Sequence, residues 1–183
     1  MRVLGIDPGS RYLGYGVVED LRGRLSHVGH GVVRADPGAP LEARLREIFD
    51  ELSRVVALFE PEAVAVEGVF TFRNVRSALV LGHARGVALL VAARASVPVH
   101  EYAPARVKRS VGAGGAGGKD AVARMVSALL GLVPQGRHDA SDALAVAICH
   151  VNHCRFGAAR TGKAPASFEG RLTPSYQRFG AAR

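Results

Sequence analysis

The chain has 183 residues, 48% of them hydrophobic and 22% charged, which is enough apolar material for a packed core and too much for a chain disordered throughout. Its 24 Lys and Arg against 16 Asp and Glu leave a net charge of +8 and an isoelectric point near 10.3, a surface suited to polyanions and to nucleic acid first. Two cysteines, Cys149 and Cys154, cannot build a disulfide framework, Asp7 interrupts the chain too early for a signal segment, and no apolar run approaches the roughly 20 residues that cross a bilayer. The expectation is one domain over residues 1–154 in a reducing cytoplasm, followed by a basic, flexible tail over 155–183. Residues 73–124 carry a further bias, with Arg73, Arg76, Arg85, Arg94, Arg106, Lys108, Arg109, Lys119 and Arg124 opposed only by Glu101 and Asp120.

In chain order, Arg2 to Ile6, Tyr12 to Val18 and Arg24 to Val33 read as three strands, and their short links make them antiparallel neighbours. From Leu41 the apolar positions Leu45, Ile48, Phe49, Leu52, Val55, Val56 and Phe59 keep helical spacing, which predicts a long amphipathic helix. Glu62 to Glu67 is nearly all apolar and fits a buried parallel strand reached by a right-handed crossover. Ser77 to Ala95 predicts a helix and Val97 to Tyr102 a strand. Pro104 opens a helical turn, VGAGGAGG is a loop, and Asp120 to Leu130 and Asp139 to Val151 are helices. Three strands, helix, strand, helix, strand and further helices make a mixed sheet covered by helices.

In open α/β sheets, sites gather outside the carboxyl ends of adjacent strands, and Asp7 and Glu67 both stand at such ends. In HDASDALAVAICH, Asp139 and Asp142 are three apart and share a helix face. If the two strands pair, four carboxylates converge, and crowded carboxylates require cations or protons to coexist. An oxygen-only set suits Mg²⁺ or Mn²⁺, and two such ions can clamp a phosphodiester, so acids inside a basic protein point to nuclease chemistry. Each acid alone has a plainer reading: Asp7 starts a turn, Asp139 caps a helix with Asp142 as a loose capping box, and Glu67 is an exposed strand end. Their joint placement at strand ends favours the site.

Phe70 and Phe72 lie beside Arg73, Asn74 and Arg76, a combination that suits stacking on unpaired bases, with burial as the alternative for Phe72. Lys108, Arg109 and Lys119 flank the glycine loop and suit phosphate contacts. Gly112, Gly114 and Gly117 match a dinucleotide-binding pattern, but no buried strand precedes them, and a P-loop fails at Ala113 and Asp120. On a helix, Cys149 with His153 and His150 with Cys154 form two pairs aimed differently, which favours packing over a zinc cluster.

Four stretches together, GIDPGSRYLGYGVV, VEGVFTFRN with SALVLGHARGVAL behind it, YAPARVK with the glycine loop and Lys119, and HDASDALAVAICH, resemble the RuvC family of Holliday junction resolvases over residues 1 to about 154. The resemblance implies an α/β, ribonuclease-H-like fold with a mixed five-stranded sheet and helices on both faces. It implies a cytoplasmic homodimer, metal-dependent nicking of two like strands in a four-way DNA junction during recombination and repair, and work beside the RuvA-RuvB branch-migration complex. Carried over by motif, the catalytic acids fall on Asp7, Glu67, Asp139 and Asp142, the junction-facing phenylalanine on Phe70, and the DNA-binding lysines on Lys108 and Lys119. Arg73, Asn74 and Arg76 join them as DNA contacts by position. Two Mg²⁺ ions per site are expected, Mn²⁺ being an alternative, with Asp7 shared between them, Glu67 on one side and Asp139 with Asp142 on the other. Some family members place a histidine where Asp139 stands, which leaves the part played by His138 open. Two rival readings are an actin-like phosphotransferase, tested by ATP binding, and a non-catalytic DNA-structure binder, tested by metal-dependent nicking.

Overall fold

A computed structural model describes residues 1–68, 74–113, 120–132 and 138–161. Five strands, β1 (Arg2–Asp7), β2 (Tyr12–Leu21), β3 (Arg24–Arg34), β4 (Ala63–Glu67) and β5 (Val99–Tyr102), form one sheet in the order β3-β2-β1-β4-β5. β1, β2 and β3 are antiparallel in sequence, while β4 lies parallel to β1 and β5 parallel to β4. The helices are α1 (Leu41–Phe59), α2 (Val75–Arg94), α3 (Pro104–Ser110), α4 (Ala121–Leu130) and α5 (His138–Thr161). The expected mixed five-stranded sheet with helices on both faces is present, and each predicted element other than the last helix appears within a few residues of its expected bounds.

Strand alternation divides the core into two layers. Leu4, Ile6, Leu13, Val17, Val64 and Val66 face α1 and α2. Val3, Val18, Ala65 and Tyr102 face the other way, onto α3, α4 and α5. Because β1 pairs Val3 with Ala63 and Ile6 with Val66, and each strand alternates, Asp7 and Glu67 fall side by side on the α5 face. That parity decides where the chemistry sits.

The same face explains an otherwise unremarked set of glycines. Gly14 pairs with Asp7 and Gly16 with Gly5, making a floor without side chains under α5. A Cβ at Gly14 would overlap the Asp139 carbonyl oxygen, one at Gly5 the Ala143 carbonyl oxygen, and one at Gly16 would come within 2.6 Å of Leu144. The alanine-rich stretch of α5, with Ala143, Ala145 and Ala147 all fully buried, lies directly on this floor.

α2, at 20 residues, is long and apolar enough by length and composition to cross a bilayer, so the expectation that no segment qualifies does not hold. Its polar and packing contacts place it against the sheet instead. Arg85, mid-helix, pairs with Glu101 on β5, and Ala84, Ala88, Val91 and Ala92 are buried in the core. α5 also runs further than expected, to Thr161, and Arg155 makes a two-pronged bond to Asp20, Nε to Oδ2 at 3.0 Å and Nη2 to Oδ1 at 2.7 Å. Residues 162–183 of the predicted tail lie outside the described residues.

Candidate active site

Three elements converge at the carboxyl ends of β1 and β4. β1 delivers Asp7, β4 delivers Glu67, and the first turns of α5 lay Asp139 and Asp142 across them. Asp7 is pushed up to about 8, first by burial, then by the negative charges of Glu67, Asp142 and Asp139. Glu67 is raised by burial and by Asp142, and Asp142 by burial and by Asp139. Asp7 holds the proton and donates it to the Glu67 carboxylate, a bond that favours the ionised form of Glu67 and the neutral form of Asp7. Asp7 is therefore within electrostatic reach of the other three predicted acids.

Lys108 is the counterweight. Exposed near the end of α3, its charge lowers both Glu67 and Asp142. His138, ahead of Asp139, also lowers Asp142, and its Nε2 lies 3.3 Å from Asp120 at the opening of α4. A single ammonium and one imidazole do not balance four carboxylates, so this oxygen-only set retains a charge deficit that suits a hard divalent cation. Among the described residues no three such side chains already stand as a closed cage; Asp7 and Glu67 instead share a proton. The fit is one of donor type and charge, with the Asp7 proton occupying the role a cation would take.

One plainer sequence reading is corrected. Asp139 is inside the first turn of α5, which begins at His138, so it is not the helix cap. Gly9 serves its own turn, since a Cβ there would overlap the Tyr12 carbonyl oxygen.

The predicted DNA contacts divide. Asn74 caps α2, its Oδ1 accepting from Arg76 N at 2.9 Å and Ser77 N at 3.3 Å. Arg76 is exposed and lines a groove with Ser10, Arg11, Arg44, Ser77, Val80 and Leu81, next to the turn that follows Asp7. Phe70, Arg73 and Lys119 lie outside the described residues. Sequence reasoning missed Arg11 and Arg44. Arg44 reaches the Ser10 carbonyl at 3.3 Å from α1, and its buried Nε has no hydrogen-bond partner among the described residues. Nothing in their local spacing announces either one, because the groove forms only when α1, α2 and the Asp7 turn meet.

Residues 3–150 match the family model described as Crossover junction endodeoxyribonuclease RuvC. The chain belongs to the RuvC family. The RuvC of Myxococcus xanthus is 62% identical over 187 residues, covering 97% of this chain and 98% of that protein. The RuvC of Trichlorobacter lovleyi is 54% identical over 152 residues, covering 83% of this chain and 85% of its own length. The structure of Thermus thermophilus RuvC in complex with a Holliday junction substrate superposes with a TM-score of 0.78 at 36% identity, covering 86% of this chain and 97% of that one. The yeast mitochondrial resolvase Ydc2, at 13% identity and a TM-score of 0.58, shares the fold. RuvC family nucleases depend on metal ions, in keeping with the oxygen-only donor set assembled here.

Proposed function

We propose that this chain is a structure-selective endonuclease that resolves four-way DNA junctions by paired, metal-dependent nicks leaving 5′-phosphate and 3′-hydroxyl ends. The observation that carries the reading is the crowding of Asp7, Glu67, Asp139 and Asp142 at two adjacent strand ends, severe enough to hold Asp7 near 8 in a protein of net charge +8. These four residues would hold the cation, Mg²⁺ or Mn²⁺, with two ions matching the donor count. When bound, the cation supplies the positive charge that lets the acids ionise together and that polarises the scissile phosphate. The protein's own part is orientation and charge. The glycine floor presses Asp139 and Asp142 against Asp7, while Lys108 keeps Glu67 and Asp142 inclined to ionise.

Arg11, Arg44 and Arg76 line a route for the DNA backbone into this end of the sheet, and Phe70, Arg73 and Lys119 belong to the same DNA-contacting set by motif. Two nicks require two sites, and α2 offers the surface for a homodimer. Val75, Leu79 and Leu90 are 76%, 60% and 53% exposed, and among the described residues Gly82 and Gly86 have open space beside them. Leu79→Glu should convert a dimer to monomers in sedimentation; an undisturbed dimer would place the contact elsewhere. Action in the cytoplasm beside the RuvA-RuvB complex completes the proposal. The deciding experiment incubates a labelled four-way junction and a plain duplex with Mg²⁺ or with chelator. Symmetric nicking of the junction alone, in Mg²⁺ alone, is expected, and absence of metal-dependent nicking would favour a non-catalytic binder.

A further inference from the structure

The acid site leaves the Cys149–Cys154 segment of α5 unused. Within it, one of the two pairs meets: Cys154 Sγ lies 3.5 Å from His150 Nε2. The other ring nitrogen of His150, Nδ1, is 2.7 Å from the Tyr102 hydroxyl, and the residue is 2% exposed. Tetrahedral zinc, with bonds of about 2.3 Å to sulfur and about 2.0 Å to nitrogen, holds such a pair about 3.5 Å apart, so these two atoms already stand at the ligand-to-ligand separation of that geometry. A ligating histidine is also fixed in tautomer and orientation by a hydrogen bond from its second nitrogen, the part Tyr102 is placed to take.

We propose that His150 Nε2 and Cys154 Sγ form a site for a thiophilic divalent cation of the zinc type, separate from the carboxylate centre. The cation replaces the thiol proton of Cys154, which leaves to solvent, and the imidazole binds through its neutral lone pair. Among the described residues no third ligand stands ready, so water fills the remaining positions, and Cys154, only partly buried, leaves them open. His100 on β5, its ring 4.3 Å from that of His150, is the side chain placed to replace one water, which would tie the second half of α5 to the sheet edge. Sulfur and imidazole do not suit Mg²⁺, so the two centres select different ions.

Co²⁺, titrated into the full-length Asp7→Asn chain under reducing conditions with excess Mg²⁺, tests the site by the charge-transfer absorption that only a thiolate ligand gives. One equivalent should produce the band, and Zn²⁺ should displace it. Cys154→Ser should abolish the band, Cys149→Ser should keep it, and Tyr102→Phe should weaken Zn²⁺ binding about 10–100-fold. In the otherwise unaltered chain, Cys154→Ser should leave Mg²⁺-dependent nicking unchanged. No band in the chain with both cysteines, a band that survives Cys154→Ser, or one lost in Cys149→Ser would overturn the assignment.

Discussion

Replacing Asp7 by Asn should stabilise the metal-free protein while abolishing cleavage. Folding takes the Asp7 carboxyl from 3.8 to about 8, so the folded chain holds this proton more tightly than the unfolded chain does. For a raised acid, the associated stability is intact below the unfolded value and is lost as pH climbs through the folded one. At 1.36 kcal/mol per pH unit, the penalty is about 2 kcal/mol at pH 5 and about 5 kcal/mol at pH 8. Asn is neutral throughout, and its amide can donate to Glu67 as protonated Asp7 does. Thermal melts with chelator at pH 5 to 8 give the difference between the two proteins at each pH. The difference is the useful quantity, because His27, His100, His150 and His153 are all lowered on folding and act oppositely, costing stability below about 6.5 in both proteins alike. The advantage of Asp7→Asn should widen by about 3 kcal/mol across this range, roughly 6–12 °C in Tm for a chain this size. A difference that stays flat with pH, or a destabilised variant, would refute the claim that carboxylate crowding dominates the site.

Gly14→Ala drives a methyl into the Asp139 carbonyl, so α5 must lift; the expected cost is about 1–3 kcal/mol, or about 2–12 °C in Tm, with cleavage losing more than junction binding. Retention of wild-type Tm and cleavage would show that the helix does not rest on that glycine. Lys108→Ala should lower the salt slope of junction binding by about 1, read from binding titrations over a range of salt, and an unchanged slope would remove it from the phosphate contacts. Arg155→Ala breaks the two-pronged bond to Asp20 and should cost about 1–3 kcal/mol by chemical denaturation, so a chain ending at residue 154 should be less stable than one ending at 161. Equal stability of the two truncations would place the domain boundary at 154.

Much of the site was legible because Asp7 and Glu67 end apolar runs, and the run lengths alone put them at strand termini. What those runs do not state is parity. Only the pairing of Val3 with Ala63 shows that both acids share a face, and that α5 occupies that face. Asp139 and Asp142 could be placed on one helix face from their spacing, but their distance from Asp7 depends on Gly5, Gly14 and Gly16, whose part is invisible until the helix is seated. Arg11 and Arg44 were not legible for a related reason. They are ordinary exposed-looking arginines on separate elements, and the groove they share with Arg76 exists only in three dimensions. Arg155 was read as the start of a basic tail, since nothing nearby announces a partner 135 residues earlier in the chain.

The glycine floor and the raised carboxyl of Asp7 have one origin. A residue with a side chain at position 14 would hold α5 away, at the packing cost expected of Gly14→Ala, and by relaxing the repulsion between Asp7 and the two α5 acids would leave a weaker claim on a cation. Instead the backbone of β2 is bare where Asp139 crosses it, and the close approach forces four carboxylates into a space where Asp7 cannot ionise unaided. Lys108 offsets part of that repulsion from outside, acting on Glu67 and Asp142, while Asp7 is shifted furthest. Adding Mg²⁺ or Mn²⁺ should therefore raise the Tm of the unaltered chain at pH 8 more than at pH 5, since at pH 5 protons already neutralise the site, and should do so much less in Asp7→Asn. An equal rise at both pH values would mean that the cation binds somewhere other than this crowded strand end.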